Sequence, residues 1–184
     1  ITPNEDSKSL VLDTTQKIYD ELSEEFRVHV DDRDNISPGF KFNEWELKGV
    51  PLRIEIGPRD IENDSVVFSR RDGVEGKFNV SISDIKSKVS DNLEDIHNKL
   101  LESSKAFREE NTKHVESYDD LITTLNSEPG FVTCYWDENS KDEDKVKADT
   151  KATLRCYVLD HDETSEAVNN SKTEGKLAIF SKAY

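Results

Sequence analysis

Apolar residues with helical spacing in positions 83–110 constrain the fold of this chain more than any other feature. They recur every three to four residues, and once after seven: Ile85, Val89, Leu93, Ile96, Leu100 and Phe107. This spacing predicts a long helix with one buried face, and its charged residues fall on the solvated face. Because strand-like segments precede and follow it, we predict an α/β chain in which this helix leads out of a first domain.

The residues before the long helix predict a small domain built on a mixed sheet. Residues 6–25 have a helical pattern, with an apolar stripe formed by Leu10, Leu12, Ile18, Tyr19 and Leu22. Ser37 is predicted to cap a second helix, with Pro38 in its first turn and Gly49 at its end. That helix carries Phe42, Trp45 and Leu47. Strands are predicted at 26–30, 50–56, 65–69 and 76–80.

The residues after the long helix predict a second, smaller α/β domain. A short helix is expected at 117–126, and an acidic, lysine-rich helix at 137–148. Strands are expected at 130–136, 152–159 and 176–184, with a polar loop at 160–175. The predicted partition is therefore a first domain at 1–82, a connecting helix at 83–114 and a C-terminal domain at 115–184.

Composition and charge limit the kinds of partner. With 25 basic and 40 acidic residues the net charge is −15, which argues against nucleic acid as a partner, and strong phosphate binding would need another module. Residues 38–60 are balanced, so base recognition stays open there. No apolar run approaches the roughly eighteen residues of a membrane span, and no secretory signal is visible. We therefore expect a cytoplasmic protein with no membrane partner, in which Cys134 and Cys156 are reduced, buried strand residues.

Patterns typical of catalysis or of metal binding are absent from the sequence. The four histidines share no ligand spacing, and there is no nucleophile elbow, P-loop or dinucleotide-binding glycine motif. We therefore predict no catalytic residue and no metal site. A small α/β enzyme using Glu44 and Glu46 as acid and base is disfavoured, because residues two apart on a helix point in different directions.

A dense mixture of charges and aromatic rings near residue 50 is the best candidate site. Guanine offers two adjacent N–H donors, which a carboxylate accepts, and acceptor atoms, to which an arginine donates. The candidate residues are Glu46, Arg53, Arg59 and Asp60, with Phe42 or Phe40 as a stacking surface. The alternative is an intramolecular ion-pair network with the aromatic rings in the core. From the residues alone this network is the favoured interpretation.

Motifs along nearly the whole chain resemble the C-terminal part of prolyl-tRNA synthetase of the archaeal and eukaryotic-like type. The matching segments are 26–29 (FRVH), 31–34 (DDRD), 37–39 (SPG), 41–42 (KF), 44–46 (EWE), 48–51 (KGVP), 55–60 (EIGPRD), 106–109 (AFRE), 152–156 (ATLRC) and 181–184 (SKAY). The resemblance implies an anticodon-binding domain followed by a C-terminal extension domain. It also raises guanine recognition above the ion-pair network.

The resemblance carries further expectations about function. The full-length enzyme would be a class II proline–tRNA ligase and a homodimer, which uses ATP and magnesium to attach proline to its tRNA. Its catalytic domain would lie upstream of this non-catalytic fragment, consistent with the lack of any Met. By matching position, Glu46, Arg53, Arg59 and Asp60 would read two anticodon guanines, with Phe42 stacking nearby. The alternative is a non-catalytic interaction module of the same fold, whose acidic surface binds protein.

Two departures from the family pattern concern zinc and the first strand. Many relatives bind zinc through four cysteines, but the corresponding stretches here, 136–144 and the loop before Lys176, carry Asp, Glu, Asn, Ser and Lys instead. We therefore predict a C-terminal domain without zinc. The family's sheet also includes a strand that ends near Ile1, and we expect this strand to be missing from this sequence. Its absence would leave an unpaired position and an apolar edge in the sheet unless another segment fills the gap.

Overall fold

The computed structural model describes residues 5–74, 76–127, 129–138 and 140–183. The chain divides into two compact units, Ile1–Leu101 and Glu102–Tyr184, and the boundary falls within one helix. The first unit contains the following elements: α1 (Glu5–Ser23), α2 (Pro38–Leu47), β1 (Leu52–Glu55), α3 (Pro58–Glu62), β2 (Ser65–Arg70), β3 (Lys77–Ser81) and the start of α4 (Ile85–Glu110).

The second unit has a mixed sheet, and the predicted α/β class is confirmed. Its elements after α4 are β4 (Thr112–His114), α5 (Tyr118–Ser127), β5 (Phe131–Trp136), α6 (Ser140–Thr150), β6 (Ala152–Tyr157), β7 (Thr164–Ala167) and β8 (Asn170–Lys182). The strand order is β4-β5-β8-β6, with β7 paired to β8, and only the β4–β5 pair is parallel.

The sheet of the first unit is antiparallel, in the order β1-β2-β3, and covers the core with one face. Strict alternation along β2 buries Val66 and Phe68, against which Leu22 of α1 and Ile85 of α4 pack. Residues on the opposite face of the sheet therefore remain available for polar chemistry.

Helix α2 begins and ends where the sequence predicts. Ser37 is its N-cap and accepts a hydrogen bond from the Phe40 N–H, while Pro38 occupies the first turn. At the other end, Gly49 has φ of +86°, a conformation that favours glycine. None of the residues of α2 is buried, and Leu47 is almost fully exposed. The helix is thus held at the surface by polar and partly buried contacts.

Two predicted features of the first unit are wrong. Residues 26–30 form no strand, because their backbone makes no ladder with the described residues, although Phe26 and Val28 do pack against the core. In α1 the buried residues are Val11, Ile18 and Leu22, so Val11 takes the place that was predicted for Leu10 and Leu12, which are both exposed. The predicted strand end near Ile1 lies outside the described residues.

Helix α4 is buried only in its first half, which corrects part of its predicted stripe. Ile85, Val89 and Ile96 are buried, but Leu100 and Phe107 are exposed. Residues 101–110 are all exposed. The helical spacing of apolar residues therefore continues beyond the part of α4 that is buried.

The second unit contains more strand than the sequence predicts. The expected polar loop at 160–175 forms β7 and the start of β8, because Ala167 is buried and the Val168 N–H donates to the Tyr135 carbonyl. The short strand β4 was not predicted. Both cysteines are free, but only Cys134 is buried; Cys156 is exposed, since β6 shifts register against β8 between Leu154 and Cys156.

Candidate nucleic-acid interface

The candidate site occupies the outer face of the three-stranded sheet. Arg53 and Glu55, two apart on β1, share this face, while the intervening Ile54 packs against the core. The strand register aligns Arg53 with Ser69, and Ser69 with Lys77. One row of polar side chains thus crosses all three strands.

Helix α2 brings Phe42 and Glu46 to this row. The two residues are four apart, so they lie on one side of the helix. Arg53 Nη1 donates to Glu46 Oε1 at 2.7 Å, and Arg53 Nη2 donates to Ser69 Oγ at 3.0 Å. The Arg53 Cζ atom lies 4.1 Å from the centroid of the Phe42 ring. The structure therefore brings together three of the five predicted site residues.

Two further residues complete this arrangement, and neither was predicted to contact a base. Glu55 Oε1 accepts from Arg53 Nε at 3.1 Å, and Glu55 Oε2 accepts from Lys77 Nζ at 2.7 Å. Lys77 Nζ lies 5.2 Å from the Phe42 centroid. We name Phe42, Glu46, Arg53, Glu55 and Lys77 the Phe42 cluster. Alternation along β1 was a signal for Glu55, but Lys77 required knowledge of the strand register.

Arg59 and Asp60 lie on α3, apart from the hydrogen bonds of the Phe42 cluster. Asp60 Oδ2 accepts from the Gly57 N–H at 2.8 Å and so caps the helix. The Arg59 guanidinium is exposed and has no ion-pair partner within the described part of the chain. No hydrogen bond among the described residues joins either side chain to Glu46 or Arg53, so the structure does not bring these two predicted residues into the Phe42 cluster.

An ion-pair network and aromatic rings that lie outside the core occur together in this region. Glu46 and Arg53 are paired, as the alternative interpretation required, but Phe40 and Phe42 are absent from the core and Phe40 is 60% exposed. The Glu46 side chain is 46% exposed, and its Oε2 has no partner within residues 5–74 and 76–127. The cluster can therefore offer both an acceptor and a donor to a ligand.

Asp31 anchors the opposite side of α2. Its carboxylate accepts two hydrogen bonds from Arg33, at 2.8 and 2.6 Å, and one from Trp45 Nε1 at 2.8 Å. Lys41 Nζ donates to the Asp31 carbonyl, and Arg33 also pairs with Glu44. The hydrogen bonds from Arg33, together with the one from Trp45, hold the pKa of the Asp31 carboxyl well below its usual range. Asp31 thus ties the loop before α2 to the helix.

Changing Asp31 to asparagine is expected to lower the free energy of unfolding by about 2 kcal/mol at neutral pH, the scale of hydrogen bonds to a charged group. Because the folded pKa of Asp31 is depressed, this stabilisation is complete above its unfolded pKa, about 3.9, and is lost as the pH falls through the folded value. Urea unfolding from pH 7 to pH 2 should show the difference shrinking only in acid. D32N, at the exposed neighbour, is the control; equal losses in both variants would contradict the assignment.

The region where relatives were expected to bind zinc contains a hydrogen-bonded polar group. The Asp137 carboxylate accepts from Asn170 Nδ2 and Thr173 Oγ1, both at 3.0 Å, while Asn169 bonds the Asp137 backbone on each side. Across the described ranges, no three His, Cys, Asp or Glu side chains are grouped as metal ligands would be. Nor does any described helix combine the length and the apolar character that a membrane span needs.

Comparisons with known proteins identify two domain families. Residues 1–92 match the family described as "Anticodon binding domain", and residues 118–184 match "Prolyl-tRNA synthetase, C-terminal". Similar curated proteins include the proline–tRNA ligases of Alkaliphilus oremlandii, 43% identical over 100% of this chain, and of Roseiflexus sp., 41% identical over 98%. The chain spans 38% of the length of each of these relatives.

A solved structure supports the same assignment. Prolyl-tRNA synthetase from Cryptosporidium parvum, in complex with L-proline and AMP, is 31% identical with a TM-score of 0.81. The match covers 98% of this chain and 38% of that one. The resemblance found in the sequence is thereby confirmed: the chain belongs to the anticodon-binding domain family, joined to the C-terminal domain family of prolyl-tRNA synthetase.

Proposed function

We propose that this chain recognises the anticodon loop of a proline-specific tRNA as the non-catalytic part of a proline–tRNA ligase. The observation that carries the proposal is the Phe42 cluster, where a partly exposed ring, an arginine and a half-exposed carboxylate meet on one open sheet face. Such a surface suits an unstacked base, which needs hydrogen-bonding groups directed at its edge. The family membership of residues 1–92 supports the same function.

The chemistry of the cluster favours guanine. Glu46 would accept from the two N–H donors on the Watson–Crick edge of guanine, while Arg53 would donate to its acceptor atoms. Arg59 and Asp60 would serve the second guanine in the same manner, with an exposed donor beside a carboxylate. Phe42 would support this contact from beneath Arg53, whose guanidinium already covers the ring at 4.1 Å.

Other parts of the proposal concern the whole protein. The relatives' names indicate an enzyme that joins proline to tRNA, for which an upstream catalytic domain would bind ATP and magnesium. We further propose a cytoplasmic homodimer, a C-terminal domain without zinc, and the functional partition 1–82, 83–114 and 115–184. With a net charge of −15, the isolated chain should bind RNA weakly, and salt should weaken this binding further.

Replacing Glu46 with alanine should reduce the preference for guanine by about 1–3 kcal/mol, the scale of one good base contact. The measurement is a titration of anticodon stem-loops that carry both guanines, or adenine in place of either one. E94A is the matched control, because Glu94 is an exposed glutamate on α4, outside the Phe42 cluster. If the unmodified chain bound all these stem-loops equally, the proposal of base recognition would fail and the interaction-module alternative would gain support.

A further inference from the structure

We propose that Glu55 is a positioning residue, which fixes Arg53 and Lys77 as a pair of cations against Phe42 so that Arg53 faces the guanine. This inference rests on the proposed function and deepens it. It concerns a residue that matches no base-reading role in the sequence, and whose importance appears only in the register of the three strands.

The geometry around Glu55 divides one carboxylate between two cations. Oε1 accepts from Arg53 Nε and Oε2 accepts from Lys77 Nζ, so each oxygen has a cationic partner. The Glu55 side chain is only 11% exposed, whereas that of Lys77 is 52% exposed. Because both of its oxygens already bind cations, this carboxylate is poorly placed to contact RNA itself. The three hydrogen bonds of Arg53 use three of its five N–H donors, so Arg53 keeps donors for a base. Any effect on recognition must therefore pass through the two cations.

The contacts of Arg53 show what Glu55 would control. The guanidinium donates through Nη1 to Glu46 and through Nη2 to Ser69, and it lies over the ring of Phe42. Glu55 holds the third nitrogen, Nε, and so fixes the rotation of the group about its own stem. When Arg53 binds a base, it would release Glu46. If Glu55 were also absent, Ser69 would be the one remaining hydrogen-bond partner of the guanidinium among these side chains, and the guanidinium plane could tilt away from the base.

Lys77 provides the second reason for a carboxylate at this position. Its ammonium group lies over the same ring as Arg53, so two like charges approach one aromatic side chain. The negative charge of Glu55 offsets their repulsion and holds both cations on Phe42. In the described chain, Glu55 is the only ion-pair partner of Lys77.

The decisive experiment replaces Glu55 with glutamine, and its predicted sign is opposite to that of simple electrostatics. Removing a negative charge from an acidic protein should strengthen binding to RNA of any sequence. We expect instead about tenfold weaker binding to the stem-loop with both guanines, the effect of one lost base contact. Binding to a stem-loop in which adenines replace both guanines should not weaken. E94Q is the matched control for the change in charge.

A double-mutant cycle separates positioning from general damage to the fold. In an R53A background, E55Q should cause no further loss of guanine preference, because its effect requires Arg53. E55D keeps the charge but is one methylene shorter, so it cannot reach both cations and should also lose preference. It provides the test if E55Q does not fold, and far-ultraviolet circular dichroism monitors the fold of each variant.

The possible outcomes distinguish this inference from the proposed function. If the unmodified chain prefers guanine and E55Q and E55D retain that preference, the positioning role is wrong and the proposed function stands. An equal loss for both stem-loops, or a full additional loss on top of R53A, would also overturn the positioning role. If the unmodified chain has no preference for guanine, the proposed function fails and this inference fails with it.

Discussion

Replacing Arg70 with methionine is expected to lower the free energy of unfolding of the first unit by about 3–5 kcal/mol, the cost of breaking a buried ion pair. The Arg70 side chain is 2% exposed and makes two hydrogen bonds to Asp72, at 3.0 and 2.6 Å. It also pairs with Asp95 of α4 at 2.7 Å and bonds Asn92 at 3.3 Å. The substitution would leave the Asp72 carboxylate buried without a cation, and would release α4 from β2.

Urea unfolding would measure this loss of free energy, and the rate of amide hydrogen exchange in β2 would show that the loss occurs in the first unit. The control is R71M, which changes the exposed neighbour and should cost less than about 0.5 kcal/mol. Adding D72N to R70M should restore part of the stability, because the second change removes the unpaired charge. Similar unfolding free energies for R70M and R71M would show that the buried pair is not stabilising.

Replacing Trp136 with alanine should cost the second unit about 3–5 kcal/mol through a large cavity. Trp136 is fully buried at the end of β5, and its ring packs edge-on against Phe180 with centroids 4.9 Å apart. The backbone is also closely packed here: a Cβ atom added to Gly175 would lie 2.5 Å from the backbone nitrogen of Trp136. Little can therefore move in to fill the space that the indole leaves.

Replacing Trp136 with phenylalanine separates the effect of lost side-chain volume from the effect of the buried indole N–H. The Trp136 Nε1 group is buried and has no hydrogen-bond partner in the described structure. W136F removes this unsatisfied donor together with part of the volume, so its cost should be well below that of W136A. F131A, in the same strand but 40% exposed, is the control. Amide exchange of β8 would report the second unit; equal losses in W136A and F131A would contradict the prediction.

Local patterns predicted most of the fold, and the failures occur where distant residues decide. The α2 helix was predictable because Ser37, Pro38 and Gly49 define its two ends through their own conformations and through contacts with residues a few positions away. Segment 26–30 alternates as a strand does, yet a strand also needs a partner, which alternation cannot supply. Segment 160–175 lacks apolar content, yet it pairs because the buried Ala167 and the Val168 hydrogen bond to Tyr135 fix the hairpin.

The candidate site was predictable to the extent that it depends on single strands and helices. Phe42 and Glu46 follow from helical spacing, and Arg53 from its position on a strong strand. Lys77 lies 24 positions after Arg53, and only the paired register of β1, β2 and β3 brings the two together. Base contacts themselves remain a prediction for all five proposed residues, because recognition depends on a ligand edge as well as on the protein.

The two cysteines of the chain differ in a way that makes the second unit easy to follow in time. Cys156 is exposed on β6, whereas Cys134 is fully buried in β5, and burial raises the pKa of its thiol to about 12. Since thiolates are the reactive form, a thiol reagent will label the folded chain at Cys156 alone. Cys134 can be labelled only when the β5 strand opens. The rate at which Cys134 is labelled therefore measures local unfolding without an engineered residue.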